Sequence, residues 1–91
     1  MSYIYVTTAD GSLAGVADLR RLVTAAESAT LGEIMVRPVV SVDQDMLKED
    51  IAQLFAKYHF RMLPVVDAND HILGVIRHGD IMKGLVTRAR I

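Results

Sequence analysis

The chain has 91 residues, no cysteine and a net charge of −1 at pH 7, so it suffices for one small domain and forms no disulfide. Hydrophobic residues make up 52% of it, which excludes a disordered chain, and the absence of a basic stripe argues against a nucleic-acid partner. Because no apolar run approaches the ~18–20 residues that cross a bilayer and the start MSYIYVTTAD lacks the basic residues of a signal peptide, we expect a cytoplasmic domain that does not insert into a membrane.

The first elements predicted along the chain are two short strands and a helix. Residues Tyr3–Thr7 are β-branched and aromatic, which is typical of a strand. The pair Asp10-Gly11 signals a tight turn, and Leu13–Ala17 is a second apolar run. Asp18 precedes apolar residues at helical spacing, so we expect it to be the N-cap of a helix.

A short helical turn and a third strand are predicted next. Thr30 and Glu33 have the spacing of a capping box, which predicts a helix start at Thr30. Pro38 ends that turn, because a proline disfavours helical geometry in the residue before it. The run Val39–Val42 is predicted to be a strand.

The remaining chain predicts a long helix, a hairpin and a final helix. Apolar residues from Asp45 to Tyr58 recur at helical spacing, which predicts that Phe55 and its neighbours Ile51 and Leu54 are buried. Two strands follow, at Met62–Val66 and Ile72–Arg77, and a helix then runs from about His78 to the C-terminus. Pro64 indicates an edge strand, or a position where the sheet needs no backbone donor.

The strand–turn–strand–helix unit occurs twice. A shift of 59 positions places Val6 on Val65 and Gly15 on Gly74 without a gap. The sequence therefore predicts an internal repeat whose hairpins are related by an approximate two-fold axis. A strand and a long helix precede the hairpin of the second copy only.

The segment LPVVDANDHILGVIRHGDIM resembles the end of a CBS domain (cystathionine β-synthase domain), a β-α-β-β-α unit that pairs into a module. The segment LGEIMVRPVVSV resembles the start of the second unit of such a pair. The resemblance implies an α+β fold of small sheets packed against helices. It divides the chain into a truncated first unit with its linker, residues 1–29, and a complete second unit, residues 30–91.

More narrowly, YIYVTTADGSLAGVADLRRLV followed by DIAQLFAKYHFRMLPVVDANDHILGVI is similar to the cytoplasmic region of MgtE-type magnesium transporters. This resemblance implies a regulatory module that couples Mg²⁺ or adenine nucleotide to domain packing, with a membrane transporter domain as partner. Two alternatives stay open: an adenine-nucleotide energy sensor of another enzyme or channel, and a ligand-free dimerisation module.

The CBS resemblance implies a nucleotide site for AMP or ATP, with no tightly bound cofactor. The family motif is a glycine, two apolar residues, Thr or Ser, two further residues and Asp. In the second repeat Gly74 and Asp80 keep that pattern while Arg77 replaces the hydroxyl residue. In the first repeat Asp18 and Arg21 break it. The residues that the resemblance assigns to nucleotide binding are Asp80, Arg77, His78, Pro64 and Val39.

The transporter resemblance implies Mg²⁺ as the other ligand, and Asp80 and Asp67 are its candidate ligands. Mg²⁺ takes oxygen ligands and keeps water, so carboxylates from separate segments can hold it. The acidic residues here have no spacing of a self-contained metal loop, and capping or hydration explains most of them. No nucleophile–base pair, phosphate loop or dinucleotide motif is present, so we expect no catalytic residue and no enzyme activity.

A homodimer is expected, because the first unit lacks the strand and helix that cover its apolar residues in a complete unit. A second chain can supply that cover, and two-fold dimers are the most common arrangement. The predicted interface residues are Tyr3, Tyr5, Leu19, Leu22 and Val23.

Overall fold

A computed structural model describes residues 2–89 of the chain. It is an α+β fold with two small sheets, as the sequence predicts. The elements in chain order are β1 (Tyr3–Thr7), β2 (Leu13–Asp18), α1 (Leu19–Thr24), α2 (Leu31–Ile34), β3 (Val42–Asp43), α3 (Lys48–Tyr58), β4 (Met62–Val66), β5 (Ile72–Arg77) and α4 (His78–Ala89). The predicted continuation of α4 to residue 91 lies outside the described residues. Within them, no helix combines the length and apolar character that a membrane span requires.

The two hairpins have the same register. In the antiparallel pair β1–β2, Tyr3 faces Asp18, and in β4–β5, Met62 faces Arg77; each residue of the second pair lies 59 positions after its counterpart. Both ladders shift register at the same place, between Val6 and Thr7 and between Val65 and Val66. The predicted repeat is therefore present in the backbone, down to the position of the irregularity.

The turns of the two hairpins also correspond. Gly11 has φ 90° and Asp70, 59 positions later, has φ 64°, so each turn places one residue in the left-handed region. An aspartate tolerates that region better than most residues, because its short side chain can bond to the nearby backbone. The turns meet at an antiparallel bridge between Ser12 and His71.

The second hairpin belongs to a three-stranded sheet with the order β3-β4-β5. Val42, Phe55 and Leu63 form its buried core, and Phe55 is only 2% exposed, as predicted. Ile51 and Leu54 are partly buried against that core rather than fully enclosed. The long helix therefore covers the sheet with one face.

The middle position of β4 corrects one of the two expectations for Pro64. The strand is not at an edge, so the alternative holds, that no backbone donor is needed there. In the first repeat Val16 faces Tyr5 but exchanges its backbone hydrogen bonds with Val36, on the other side. Pro64 faces Val75 as Tyr5 faces Val16, so its nitrogen points away from β5 and toward β3. The pairing of β4 with β3 begins only at the next residue, Val65, so no backbone donor is needed at Pro64.

The third strand is shorter than predicted, because only Val42 and Asp43 of that region pair with β4. The preceding residues, including Val39 and Val40, instead line a cleft between the repeats. The long helix also starts later than Asp45, at Lys48. The side chain of Asp43 accepts the N–H of Asp45 at 2.9 Å, and this local turn separates the strand from the helix.

Two of the predicted helix caps are confirmed. Asp18 accepts the N–H of Arg20 at 2.9 Å at the start of α1. Thr30 accepts the N–H of Glu33 at 3.3 Å at the start of α2. These bonds satisfy backbone N–H groups that have no partner inside the helix, and they set the residue at which each helix begins.

Candidate functional site

A cleft of about 370 Å³ lies between the two repeats. One wall comes from β1, β2 and residues 35–41 between α2 and β3, a segment that we call the linker from here on. The other wall comes from the end of α3 and the start of β4. We call it the inter-repeat cleft. Its lining residues are Tyr3, Tyr5, Val16, Val36, Pro38, Val39, Val40, Tyr58, His59, Phe60, Arg61, Met62 and Leu63. A space of this size, mostly apolar with a few polar groups, is typical of small-molecule sites.

Tyr5 ties the two walls together. Its hydroxyl donates to the carbonyl oxygen of Met62 at 3.4 Å, across the cleft from β1 to β4. Burial, and secondarily the neighbouring Tyr3, raise the pKa of the Tyr5 phenol, so the group is neutral at physiological pH. Because its one proton is donated to Met62, the hydroxyl oxygen can act as a hydrogen-bond acceptor toward a molecule in the cleft.

The linker reaches the cleft because it is held against β2. Val36 and Val16 exchange two backbone hydrogen bonds, of 3.0 and 2.8 Å. Met35 lies directly over Gly15, so closely that a Cβ atom there would be 2.6 Å from the Met35 sulfur. Contacts of Met35 and Val36 with β2 thereby hold the linker in place. Pro38 and Val39, which follow closely, line the cleft.

A second cleft, of about 640 Å³, lies at the start of α4. It shares His59, Phe60 and Arg61 with the inter-repeat cleft, and it also contains His78 and Gly79. The ring of His78 is 6.0 Å from that of Phe55. The N–H of His78 donates to the Arg61 carbonyl at 2.8 Å, which anchors the helix start to the residue before β4. We call this the α4 cleft.

The five residues assigned to nucleotide binding are not gathered in one place. Val39 lines the inter-repeat cleft and His78 lines the α4 cleft. Pro64 is buried within the sheet. Arg77 and Asp80 line neither cleft; their side chains pair with each other at 3.2 Å and remain 71% and 50% exposed. A ligand that uses Asp80 must therefore compete with or share this exposed ion pair.

The two candidate metal ligands lie on different elements and have different partners: Asp67 is in the turn after β4, and Asp80 is in the first turn of α4. Asp67 accepts the backbone N–H groups of His71 and Asn69, each at 2.9 Å, and lies 3.3 Å from the imidazole of His71. The N–H donated by His71 is the main cause that lowers the pKa of Asp67. Asp80 pairs with Arg77 instead. In the described part of the chain, no group of three or more His, Cys, Asp or Glu residues is placed to hold a metal ion.

The residues predicted for a dimer interface fall on two faces. Tyr3 and Tyr5 line the inter-repeat cleft. Leu19, Leu22 and Val23 lie on α1, which has no buried residue, and Val23 is 76% exposed. The apolar side of α1 is thus open, whereas the tyrosines already face the second repeat.

Sequence patterns did not identify the second wall of the inter-repeat cleft. Arg61 and His59 are the polar residues there, and both follow the end of α3, where His59 is in a left-handed conformation with φ 56°. They face β1, β2 and the linker across the cleft. The 59-residue shift, which puts Arg61 opposite Ser2 in the repeat, is the one signal that could have indicated their position.

Comparison with known protein families gives a match to the CBS domain over residues 31–87. Among individual proteins, the magnesium transporter MgtE of Thermus thermophilus is 39% identical over 87 residues, which is 96% of this chain and 19% of that protein. MgtE of Enterococcus faecalis is 35% identical over 80 residues, or 88% of this chain and 18% of the transporter. The chain thus spans about a fifth of the length of these relatives.

Two solved structures have the same fold over nearly the whole chain. The soluble part of a magnesium transporter has a TM-score of 0.88 and 33% identity, and covers 96% of this chain, which in turn covers 34% of that structure. The cytosolic domain of the Mg²⁺ channel MgtE, in complex with ATP, has a TM-score of 0.84 and 39% identity; the match covers 90% of this chain and 33% of that one.

Proposed function

Because this chain belongs to the CBS domain family, we propose that it is a non-catalytic regulatory module whose ligand is an adenine nucleotide bound in the inter-repeat cleft. The parent protein in this proposal is a magnesium or other divalent cation transporter, with the module on its cytoplasmic side. The similarity to MgtE proteins over nearly the whole chain supports that parent.

The observation that carries the proposal is that the first repeat, with the linker, forms one wall of the inter-repeat cleft, while the end of α3 and the start of β4 form the other. A ligand that contacts Tyr3 and Val39 on one side and Phe60 on the other binds best at one separation of the walls. Ligand occupancy therefore shifts the equilibrium between arrangements of the repeats, through its different affinity for each. A regulatory module needs this coupling.

The chemistry of the two clefts suits an adenine nucleotide. Aromatic and apolar side chains of the inter-repeat cleft offer a surface for a base. Arg61, at the boundary with the α4 cleft, and the first N–H groups of α4 suit phosphate. Asp80, in the first turn of α4, can accept from ribose hydroxyls and would then exchange its bond to Arg77 for one to the ligand. The complex of a 39% identical relative with ATP supports this ligand class.

Mg²⁺ has a separate place in the proposal, as the ion that the parent transports. Asp67, in the turn after β4, and Asp80, in α4, already have partners in His71 and Arg77. Direct binding of Mg²⁺ to this chain would therefore require carboxylates from a neighbouring domain, and we expect it to be weak here.

Titration calorimetry of the full chain with ATP, AMP and MgCl₂ tests this function. We expect saturable heat with a nucleotide and little with MgCl₂ alone. Val39→Arg should weaken nucleotide binding at least about tenfold, because it fills the cleft with a charged side chain. Leu73→Arg is the matched control, since Leu73 is 54% exposed on β5, outside the cleft, and should leave the affinity unchanged.

A nucleotide affinity that Val39→Arg does not alter would place the ligand elsewhere. Absence of nucleotide binding would favour the second candidate, a ligand-free dimerisation module. The specific observation for that candidate is the open apolar face of α1 with Leu19, Leu22 and Val23. These three residues remain our proposed homodimer interface, whereas Tyr3 and Tyr5, which we also predicted there, line the inter-repeat cleft.

A further inference from the structure

The hydroxyl group of Tyr5 uses its one proton within the protein. It donates to the carbonyl oxygen of Met62 at 3.4 Å, across the inter-repeat cleft. One position before Met62, the Arg61 carbonyl accepts the N–H of His78, so Met62 and Arg77 face each other at a position where the backbone groups point outward. The Met62 carbonyl is therefore turned away from β5, and the proton of Tyr5 supplies it with a hydrogen bond.

Both ends of the Tyr5 side chain are held in place. Tyr5 faces Val16 across the first hairpin, and both residues line the inter-repeat cleft. Residues directly opposite each other in such a ladder pack their side chains together, so Val16 supports the ring while Met62 holds the hydroxyl. Burial raises the pKa of the Tyr5 phenol, which keeps the proton in place. The oxygen thus presents lone pairs, and not a proton, to a molecule in the cleft.

We propose that the Tyr5 hydroxyl oxygen selects 6-aminopurine over 6-oxopurine bases, by accepting a hydrogen bond from the amino group of the base. This inference rests on the proposed function, a nucleotide in the inter-repeat cleft. The rings of Tyr58 and Phe60, with centroids 5.8 Å apart in the other wall, offer an apolar surface to either kind of purine. Selection between the two kinds therefore needs a polar group, and Tyr5 is one whose direction of hydrogen bonding is set.

A 6-oxopurine has an unfavourable choice at this position. Its carbonyl oxygen replaces the amino group, so two acceptors face each other if Tyr5 keeps its bond to Met62. If the hydroxyl turns its proton toward the base instead, the Met62 carbonyl loses that bond. Either arrangement has one hydrogen bond fewer than the complex with a 6-aminopurine, and such an unmade bond is what allows a site to reject a close analogue.

Titration calorimetry of the full chain with AMP and with IMP tests the selection, since these two nucleotides share ribose and phosphate. We expect AMP to bind the wild-type chain at least about tenfold more tightly than IMP. Tyr5→Phe keeps the ring and removes the oxygen, so the two affinities should come within about twofold of each other. Tyr3→Phe is the matched control, because Tyr3 lies on the same strand and lines the same cleft, and it should keep the preference for AMP.

The outcomes separate this inference from the function on which it rests. Equal affinities for AMP and IMP in the wild-type chain, or a preference that survives Tyr5→Phe or is lost equally in Tyr3→Phe, would overturn the role of Tyr5 while nucleotide binding stands. If neither nucleotide binds, both proposals are wrong. Should Tyr5→Phe fail to fold by circular dichroism, purine riboside monophosphate, which has no group at the 6-position, decides the question with the wild-type chain. It should bind several-fold more weakly than AMP, and an equal affinity would contradict the proposal.

Discussion

Ser12 and His71 face each other in an antiparallel bridge, and they are the same position of the two repeats. A residue can pair with its own counterpart only if the two-fold axis relating the repeats passes between them. The hydrogen bonds of the turns agree: the N–H of Thr8 donates to Ser12 at 2.8 Å, and that of Asp67 donates to His71 at 3.0 Å. The axis therefore passes between the turns of the two hairpins, where the N–H of Leu13 also donates to the Asp70 carbonyl at 2.8 Å.

The two equivalent glycines should respond differently to the same substitution. Gly15→Ala places a methyl group 2.6 Å from the sulfur and 2.9 Å from Cγ of Met35, so it should destabilise the chain by about 1–3 kcal/mol. Gly74→Ala meets open space and should be neutral or stabilise by up to about 1 kcal/mol, through lower entropy of the unfolded chain. Urea unfolding of both variants gives the comparison. Equal costs would show that the linker does not rest on Gly15.

The core of the second repeat should depend on Phe55. This side chain is 2% exposed beside Val42 and Leu63, so Phe55→Ala should cost about 3–5 kcal/mol of unfolding free energy. The control Leu73→Ala, at a 54% exposed position, should change stability by less than about 0.5 kcal/mol. Thermal denaturation by circular dichroism measures both. Similar melting temperatures for the two variants would rule out α3 as the cover of the sheet.

Stability should fall in acid through Asp67. Its pKa is lowered below the ordinary value of 3.8, so the stabilisation is present above that value and is lost as the pH falls through the lower folded value. Asp67→Asn should flatten the decline of the urea midpoint between about pH 5 and pH 2. Asp10, whose pKa is also lowered, contributes in the same direction and remains in the variant. An unchanged pH profile would mean that the bonds to Asn69 and His71 do not form.

Self-association is expected through α1. Light scattering after size exclusion should give about twice the chain mass of 10.0 kDa. Val23→Arg should yield a monomer, because it puts a charge on the open apolar face of α1. Leu47→Arg, at a 65% exposed position before α3, is the control and should remain dimeric. A monomeric wild-type chain at micromolar concentration would contradict the dimer.

Nucleotide binding should depend on the first turn of α4. Asp80→Ala should remove a charge-assisted hydrogen bond to ribose, worth about 1.5–3 kcal/mol, and so lower the ATP affinity at least about tenfold. Calorimetry with ATP and with free triphosphate separates ribose recognition from phosphate attraction. If Asp80→Ala leaves the ATP affinity unaltered, Asp80 serves only as the partner of Arg77.

Local chemistry predicted most of the fold. The apolar runs and the gapless repeat predicted both hairpins, because the same spacing of apolar residues produces the same strand register twice. Asp18 and Thr30 were predictable as caps, since their side chains act on the next two or three residues. The late start of α3 could not be predicted, because it depends on one hydrogen bond, from the N–H of Asp45 to the side chain of Asp43.

The candidate site was less predictable. The motif singled out Asp80 and Arg77, but nothing in their spacing showed that they would pair with each other. Tyr3 and Tyr5 were expected at an interface between chains, and the structure places them at the interface between repeats. Arg61 was missed, because its position depends on how the second hairpin meets the first.

Chemical-shift mapping of the isotopically labelled chain during a titration with ATP shows directly whether a bound nucleotide contacts both walls of the inter-repeat cleft. We expect shifts at amides on both walls, around Tyr5 and Val39 on one side and Phe60 on the other, together with the start of α4 at His78–Asp80. Shifts confined to one wall, or to exposed turns such as that of Asp10, would contradict a ligand that couples the two repeats.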